Sequence, residues 1–165
     1  AQANTAMASI WIKDKTGWWY QHNNGSYTKG NWEKIRDRWY YFNSKGYLTT
    51  GWQEIKGVWY YLKPGGPMAT GWQNIDNKWY YFAKDGKMVT GWKEIDGNYY
   101  FMDNAGVMKT GWINVGTNRY YLDEGDKHLG RMTKGWKKVG DGWYYFNSSG
   151  FLIKGWVKSG NKFYY

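Results

Sequence analysis

One tryptophan recurs along the whole 165-residue chain, at Trp11, Trp32, Trp52, Trp72, Trp92, Trp112, Trp136 and Trp156, with spacings of 21, 20, 20, 20, 20, 24 and 20. A period of about twenty residues is the mark of a repeat array, in which each unit is too small to bury its own apolar face and stacks on its neighbour. Seven residues after each Trp comes an aromatic triplet: Trp18-Trp19-Tyr20, Trp39-Tyr40-Tyr41, Trp59-Tyr60-Tyr61, Trp79-Tyr80-Tyr81, Tyr99-Tyr100-Phe101, Arg119-Tyr120-Tyr121, Trp143-Tyr144-Tyr145 and Phe163-Tyr164-Tyr165. Arg119 alone breaks it.

Between the lone Trp and the triplet lie Lys56-Gly57, Asp76-Asn77, Asp96-Gly97 and Gly160-Asn161. Such pairs tolerate positive φ and close two-residue hairpins between flanking strand-formers. A second turn follows each triplet, as in Asn43-Ser44-Lys45-Gly46 and Ala83-Lys84-Asp85-Gly86. Then comes an apolar residue such as Leu48, Met68, Met88, Met108 or Leu152. Eight such units predict an all-β solenoid of stacked hairpins, forming a single domain over residues 1–165. The four extra residues before Trp136 read as a longer connector that bulges outward while the stack continues.

A two-residue turn sets the register. In the third repeat Trp52 opposes Tyr61, Trp59 lies diagonally on the same face, and Tyr60 points to the other face with Ile55. Stacking then brings three rings together at a junction, predicted as Trp52, Trp59 and Tyr80, with Met68 or Met88 as a flexible lining. Three electron-rich faces make a cage suited to a trimethylammonium group, whose diffuse charge the ring quadrupoles attract. Each ring contributes on the order of 0.5–2 kcal/mol, so one site is expected to be weak, near millimolar or about 4 kcal/mol. A multivalent target strengthens attachment by roughly 10² to 10⁴.

The composition fits a chain whose rings serve as both core and ligand surface. It holds 14 Trp, 17 Tyr and 23 Gly against 2 Pro and no Cys, and its mean hydropathy is low at -0.86. Lack of Cys removes disulfide and thiolate chemistry. The net charge of +10 is carried by scattered Lys residues and favours anionic surroundings. No apolar run approaches the roughly 18 residues of a membrane span. The small, polar start Ala1-Gln2-Ala3-Asn4-Thr5-Ala6 is similar to that of a secreted protein after cleavage.

The pattern Gly-Trp, then Trp-Tyr-Tyr-Phe, then Gly-x-Met-x-Thr-Gly-Trp, seen from Gly71 to Trp92 and again from Gly91 to Trp112, resembles the choline-binding repeats of pneumococcal surface proteins and phage lysins. The resemblance implies a left-handed solenoid that holds phosphocholine on teichoic and lipoteichoic acids, anchoring a secreted protein at the bacterial cell wall. Carried over by position, the choline sites are Trp11, Trp18 and Tyr40; Trp32, Trp39 and Tyr60; Trp52, Trp59 and Tyr80; Trp72, Trp79 and Tyr100; Trp92, Tyr99 and Tyr120; and Trp136, Trp143 and Tyr164, with Met68, Met88 and Met108 as lining. Trp112 departs from the pattern. Its partner position is Arg119, whose charge repels a cation, and the longer connector is expected to shift the next hairpin, so this junction is expected to hold no choline. Trp156 and Phe163 are left without a third ring, and the C-terminal repeat is expected either to cap the stack or to meet a second chain in a dimer, as terminal repeats do in some relatives.

Packing between hairpins also demands apolar area, and Tyr41, Tyr61, Tyr81, Ile55, Ile75 and Ile95 are expected as core. Enzymatic function is disfavoured. His22 and His128 fall in turns of unlike repeats without a partner at a telling spacing, and Asp37, Asp76, Asp96 and Asp141 are turn residues. No nucleophile, metal, cofactor or phosphate-loop motif is present. Nucleic-acid binding would need rings along a basic groove, whereas here Lys lies in turns on all sides. The nearest rival is a carbohydrate (glucan)-binding repeat module. The paired Trp seven residues apart within most hairpins favours a cage over a flat sugar platform.

Overall fold

The structure is a computed structural model and describes residues 7–165, so the expectation for Ala1 to Ala6 lies outside it. Apart from one short 3-10 turn at Asp126–His128, every described element is a β-strand, and the strands form antiparallel hairpins. Two compact units divide the chain: the first runs to Gln73 and takes in Phe82–Met88, and the second comprises Asn74–Tyr81 and Val89–Tyr165.

In the first unit, β1 (Ile10–Lys13) pairs with β2 (Trp18–Gln21), β3 (Asn31–Ile35) with β4 (Arg38–Phe42), and β5 (Gly51–Ile55) with β6 (Val58–Leu62). Strands β7 (Gly71–Ile75) and β8 (Lys78–Phe82) form the hairpin at which the division falls. In the second unit, β9 (Gly91–Ile95) pairs with β10 (Asn98–Met102), and β11 (Gly111–Val115) with β12 (Asn118–Leu122). There β13 (Gly135–Val139) pairs with β14 (Gly142–Phe146), which also takes β15 (Leu152–Ile153), and β16 (Val157–Ser159) pairs with β17 (Lys162–Tyr164).

The turns explain the register. Lys56 and Gly57 have φ of 52° and 78°, and Asp96 and Gly97 have 51° and 81°, so both central residues are left-handed, as a type I′ turn requires. At Gly116, Gly140 and Gly160 only the first central residue has positive φ, the pattern of a type II′ turn. Both types match strand twist, and Trp52 faces Tyr61 across β5–β6 as the spacing predicts.

Each connector ties its hairpin to the one before. The N–H of Met68 donates to the carbonyl of Trp39 at 2.8 Å, and Leu48 does the same to Trp18 at 2.7 Å. In the second unit Met108 donates to Trp79 at 2.8 Å and Met132 to Tyr99 at 2.8 Å. The side chain above each bond rests on a glycine of the next connector: a Cβ on Gly86 would lie 2.3 Å from the Met68 sulfur, and one on Gly150 2.4 Å from that of Met132. These links make each unit a stack of hairpins of the β-solenoid type.

The core differs in part from expectation. Its largest fully buried side chains are Phe42, Leu62, Phe82, Met102, Leu122 and Phe146, each the residue just after a triplet. Ile95 is buried as expected, while Ile55, Ile75, Tyr41, Tyr61 and Tyr81 are only half-buried. Alternation is the reason. The residue after the triplet shares a face with the triplet's middle Tyr, and its backbone bridges to the connector, as Leu62 does with Met68, so neighbours enclose it on both sides.

Candidate functional site

A leading Trp is held on three sides. Trp11 meets Tyr20 of its own hairpin at 5.0 Å between ring centres, Tyr40 of the next at 5.1 Å, and Phe42 at 5.8 Å in a stacked arrangement. Trp32 repeats this with Tyr41 at 5.1 Å and Tyr60 at 4.9 Å. In the second unit Trp92 meets Tyr120 at 4.7 Å and Trp136 meets Tyr164 at 5.1 Å. Interplanar angles from 59° to 69° at these junction pairs keep the faces turned toward a common space.

The first triplet residue closes that space from outside. Trp18, Trp39, Trp59, Trp79 and Tyr99 are each 37–44 % exposed, unusual for rings of this size, and so stand as outer walls. Trp59 lies 6.3 Å from Trp52 at 79°, which places two walls at right angles within one hairpin.

Such walls enclose pockets within each unit. Trp32, Trp39, Tyr60, Met68 and Asp85 line one of about 330 Å³, and Trp136, Trp143, Tyr164 and Tyr165 line another of about 430 Å³. The trios Trp52, Trp59, Tyr80 and Trp72, Trp79, Tyr100 draw on both units, and each residue has its place within its own: Tyr80 and Tyr100 are buried, and Trp79 is exposed.

Of the two methionines offered for the Trp52 junction, Met68 and Met88, the connector bonds favour Met88. Met68 belongs to the pocket of Trp32 and Trp39 rather than that of Trp52, because its backbone is pinned to Trp39. The same link connects Met88 to Trp59 at 3.0 Å and Met108 to Trp79. Leu48, read from the sequence only as a connector residue, and Met132 hold equivalent positions and were not singled out as lining. Nor was Asp85, whose carboxylate comes from two repeats further on.

Arg119 answers the broken triplet. Its guanidinium carbon lies 4.3 Å from the Trp112 ring centre, while Trp112 still meets Tyr144 at 4.9 Å and Phe146 at 5.8 Å. The longer connector therefore does not displace the next hairpin: Gly130 still packs on Met108, and Leu122 still bridges to Met132. The extra residues are absorbed in the turn at Asp126–His128. All three walls of the usual arrangement are thus present except that the outer one is a cation.

Burial pushes the Tyr120 phenol above the ordinary tyrosine range, and Tyr80 likewise, through burial first and then the charges of Asp103 and Asp76. These rings stay neutral and electron-rich at ordinary pH. Tyr99 is raised chiefly by its hydrogen bond to Glu94, at 3.1 Å.

His22 has partners that its position in the sequence did not suggest. Its Nδ1 lies 2.8 Å from the Ser26 hydroxyl and its Nε2 2.7 Å from Glu33 Oε1, which also accepts from Thr28. Ser26 donates in turn to Asn24 at 2.6 Å. The network ties the first connector to β3. Among the described residues no group of His, Cys, Asp and Glu could hold a metal ion, and no helix is long and apolar enough to cross a membrane.

A family model for choline-binding repeats matches residues 28–70, 69–92, 89–132 and 133–165. The chain belongs to the choline-binding repeat family. Choline-binding repeats of known structure share its fold. Choline-binding protein F from Streptococcus pneumoniae, solved with a peptidoglycan analogue, is 37% identical, with TM-score 0.81 and coverage of 87% of this chain and 51% of that one. CbpJ from Streptococcus pneumoniae gives 37% identity, TM-score 0.79 and the same coverages of 87% and 51%. The multimodular pneumococcal cell-wall endolysin from phage Cp-1, solved with choline, gives 36% identity and TM-score 0.54 over 94% of this chain and 40% of that one. The chain thus spans about half or less of the length of these structures. A comparison with curated protein sequences found no match.

Proposed function

We propose that the eight repeats act as one domain that anchors to phosphocholine on cell-wall teichoic and lipoteichoic acids, each choline seated in an aromatic cage between consecutive hairpins. The observation that carries this reading is the single pocket lined by Trp32, Trp39, Tyr60 and Met68, with a carboxylate, Asp85, at its edge. Three rings attract a trimethylammonium group, the thioether adapts to its methyls, and the carboxylate adds charge without demanding a hydrogen bond. The same roles fall to Trp11, Trp18 and Tyr40, to Trp52, Trp59 and Tyr80, to Trp72, Trp79 and Tyr100, to Trp92, Tyr99 and Tyr120, and to Trp136, Trp143 and Tyr164. Met88 and Met108 line their sites as Met68 does.

The Trp112 junction is the exception, since Arg119 occupies the face that a choline would use. The scattered Lys residues answer the phosphates of the wall polymer, and this places the protein at the cell surface. A catalytic or adhesive partner in a longer protein would gain localisation from this module. Calorimetric titration with choline, together with retention on a tertiary-amine resin and release by free choline, tests the reading. Retention on dextran with no response to choline would replace it with glucan binding.

A further inference from the structure

A further pocket, of about 200 Å³, lies at the first hairpin and is lined by Asp14, Trp19, Tyr27, Lys45 and Tyr47. Its walls obey the repeat. Trp19 holds the position of Tyr60, Tyr27 that of Met68, and Lys45 that of Asp85, each two repeats earlier in the sequence. Packing agrees: Gly46 closes on the Tyr27 ring as Gly86 closes on Met68. The side that paired Trp rings supply at the Trp32 pocket is formed here by Asp14 and Tyr47.

That exchange changes the chemistry. Trp19 and Tyr27 still meet at right-angle geometry, 5.3 Å apart and 67° between planes. Asp14 Oδ1 accepts from the N–H groups of Thr16 and Gly17 at 2.8 and 3.1 Å, and Oδ2 accepts from the Tyr47 hydroxyl at 2.8 Å. The carboxylate keeps its full charge, and three of its roughly four acceptor positions are taken. Such a group suits a cation that donates no hydrogen bonds. The hydrogen bond from Tyr47, foremost, holds the Asp14 carboxyl below its usual range, so the charge persists in mild acid. Lys45 adds a cation to the same lining, and Lys29, although 4.8 Å from the Tyr27 ring centre, is not part of it.

We infer that this pocket binds the phosphocholine group as a zwitterion, its trimethylammonium against Trp19, Tyr27 and Asp14 and its phosphate on Lys45. It differs from the proposed cages in reading both charges of the ligand rather than the cation alone. The inference deepens the proposed function and rests on it for the ligand class.

The test follows the indole N–H NMR signal of Trp19, assigned by its loss in Trp19→Phe, during titration of the whole chain with choline and with phosphocholine. The expected result is that phosphocholine moves the signal at a lower concentration than choline does. Lys45→Ala should weaken phosphocholine at this signal by up to about fivefold, the scale of an exposed ion pair, and leave choline unchanged. A Trp19 signal that stays still while the Trp32 and Trp39 signals respond overturns the pocket alone. One that moves equally with both ligands and ignores Lys45→Ala overturns the zwitterion assignment. Failure of the Trp32 and Trp39 signals to respond to choline would instead overturn the cage reading itself. Phosphatidylcholine vesicles and choline-bearing wall polymer, compared in wild type and Lys45→Ala, tell which carrier presents the group.

Discussion

The Arg119 guanidinium sits over the face of Trp112, 4.3 Å from its ring centre, in a junction that is otherwise built like its neighbours. A cation–π contact of this kind is worth about 0.5–2 kcal/mol and needs no external ligand. The protein therefore satisfies one aromatic face internally.

Replacing the cation with a ring should open that junction. Arg119→Trp is expected to bind one more equivalent of choline than wild type, because Trp112, Tyr144 and the new indole would complete the enclosure. Arg119→Ala should expose the Trp112 face with at most weak binding. Calorimetric stoichiometry decides, and an unchanged count in Arg119→Trp would refute the assignment.

Binding and stability should separate at the outer wall. Trp39 is 42 % exposed, so Trp39→Ala is expected to change folding little. Loss of one ring of three should weaken choline at that pocket roughly twofold to thirtyfold, from about 0.5–2 kcal/mol. Site-resolved NMR titration and urea denaturation on the same variant would check both halves.

The opposite separation is expected in the core. Leu122 has no exposed surface and touches no proposed ligand, so Leu122→Ala should cost about 2–5 kcal/mol of stability. Choline affinity should persist wherever the variant remains folded, as denaturation curves with and without choline would show.

Gly86 should be intolerant of a side chain for two reasons. Its φ is +85°, and a Cβ would lie 2.3 Å from the Met68 sulfur. Gly86→Ala is expected to lose on the order of 1–2 kcal/mol from the left-handed backbone alone. It should also push Met68 out of place and weaken binding at the Trp32 pocket, which a thermal melt and a titration would register together.

Alkaline pH should destabilise the fold through its buried phenols. Tyr80, Tyr120 and Tyr121 are raised above 10.0 mainly by burial. Their contribution is whole below the unfolded value of about 10. It declines as pH rises from there through the higher folded values, since the unfolded chain releases these protons first. Urea midpoints between pH 8 and 11 should fall less steeply in Tyr120→Phe than in wild type.

Most of the hairpin architecture was legible because it is local. Lys56-Gly57 and Asp96-Gly97 fix a two-residue turn, the turn fixes the register, and period two then assigns Trp52, Trp59 and Tyr61 to one face without reference to anything distant. Tertiary structure decided how one hairpin meets the next. The bond from Met68 to Trp39 sets an offset that no pairwise spacing encodes, and it decides between Met68 and Met88, the two linings the sequence left open at the Trp52 junction. It also decided that Phe42 and Leu62 rather than Tyr41 and Tyr61 are enclosed, that the connector at Asp126–His128 leaves the stack in register, and that Arg119 folds onto Trp112. A twenty-residue sequence repeat specifies what each unit offers its neighbours, whereas the angle and distance of the meeting come from side chains of both units packing at once.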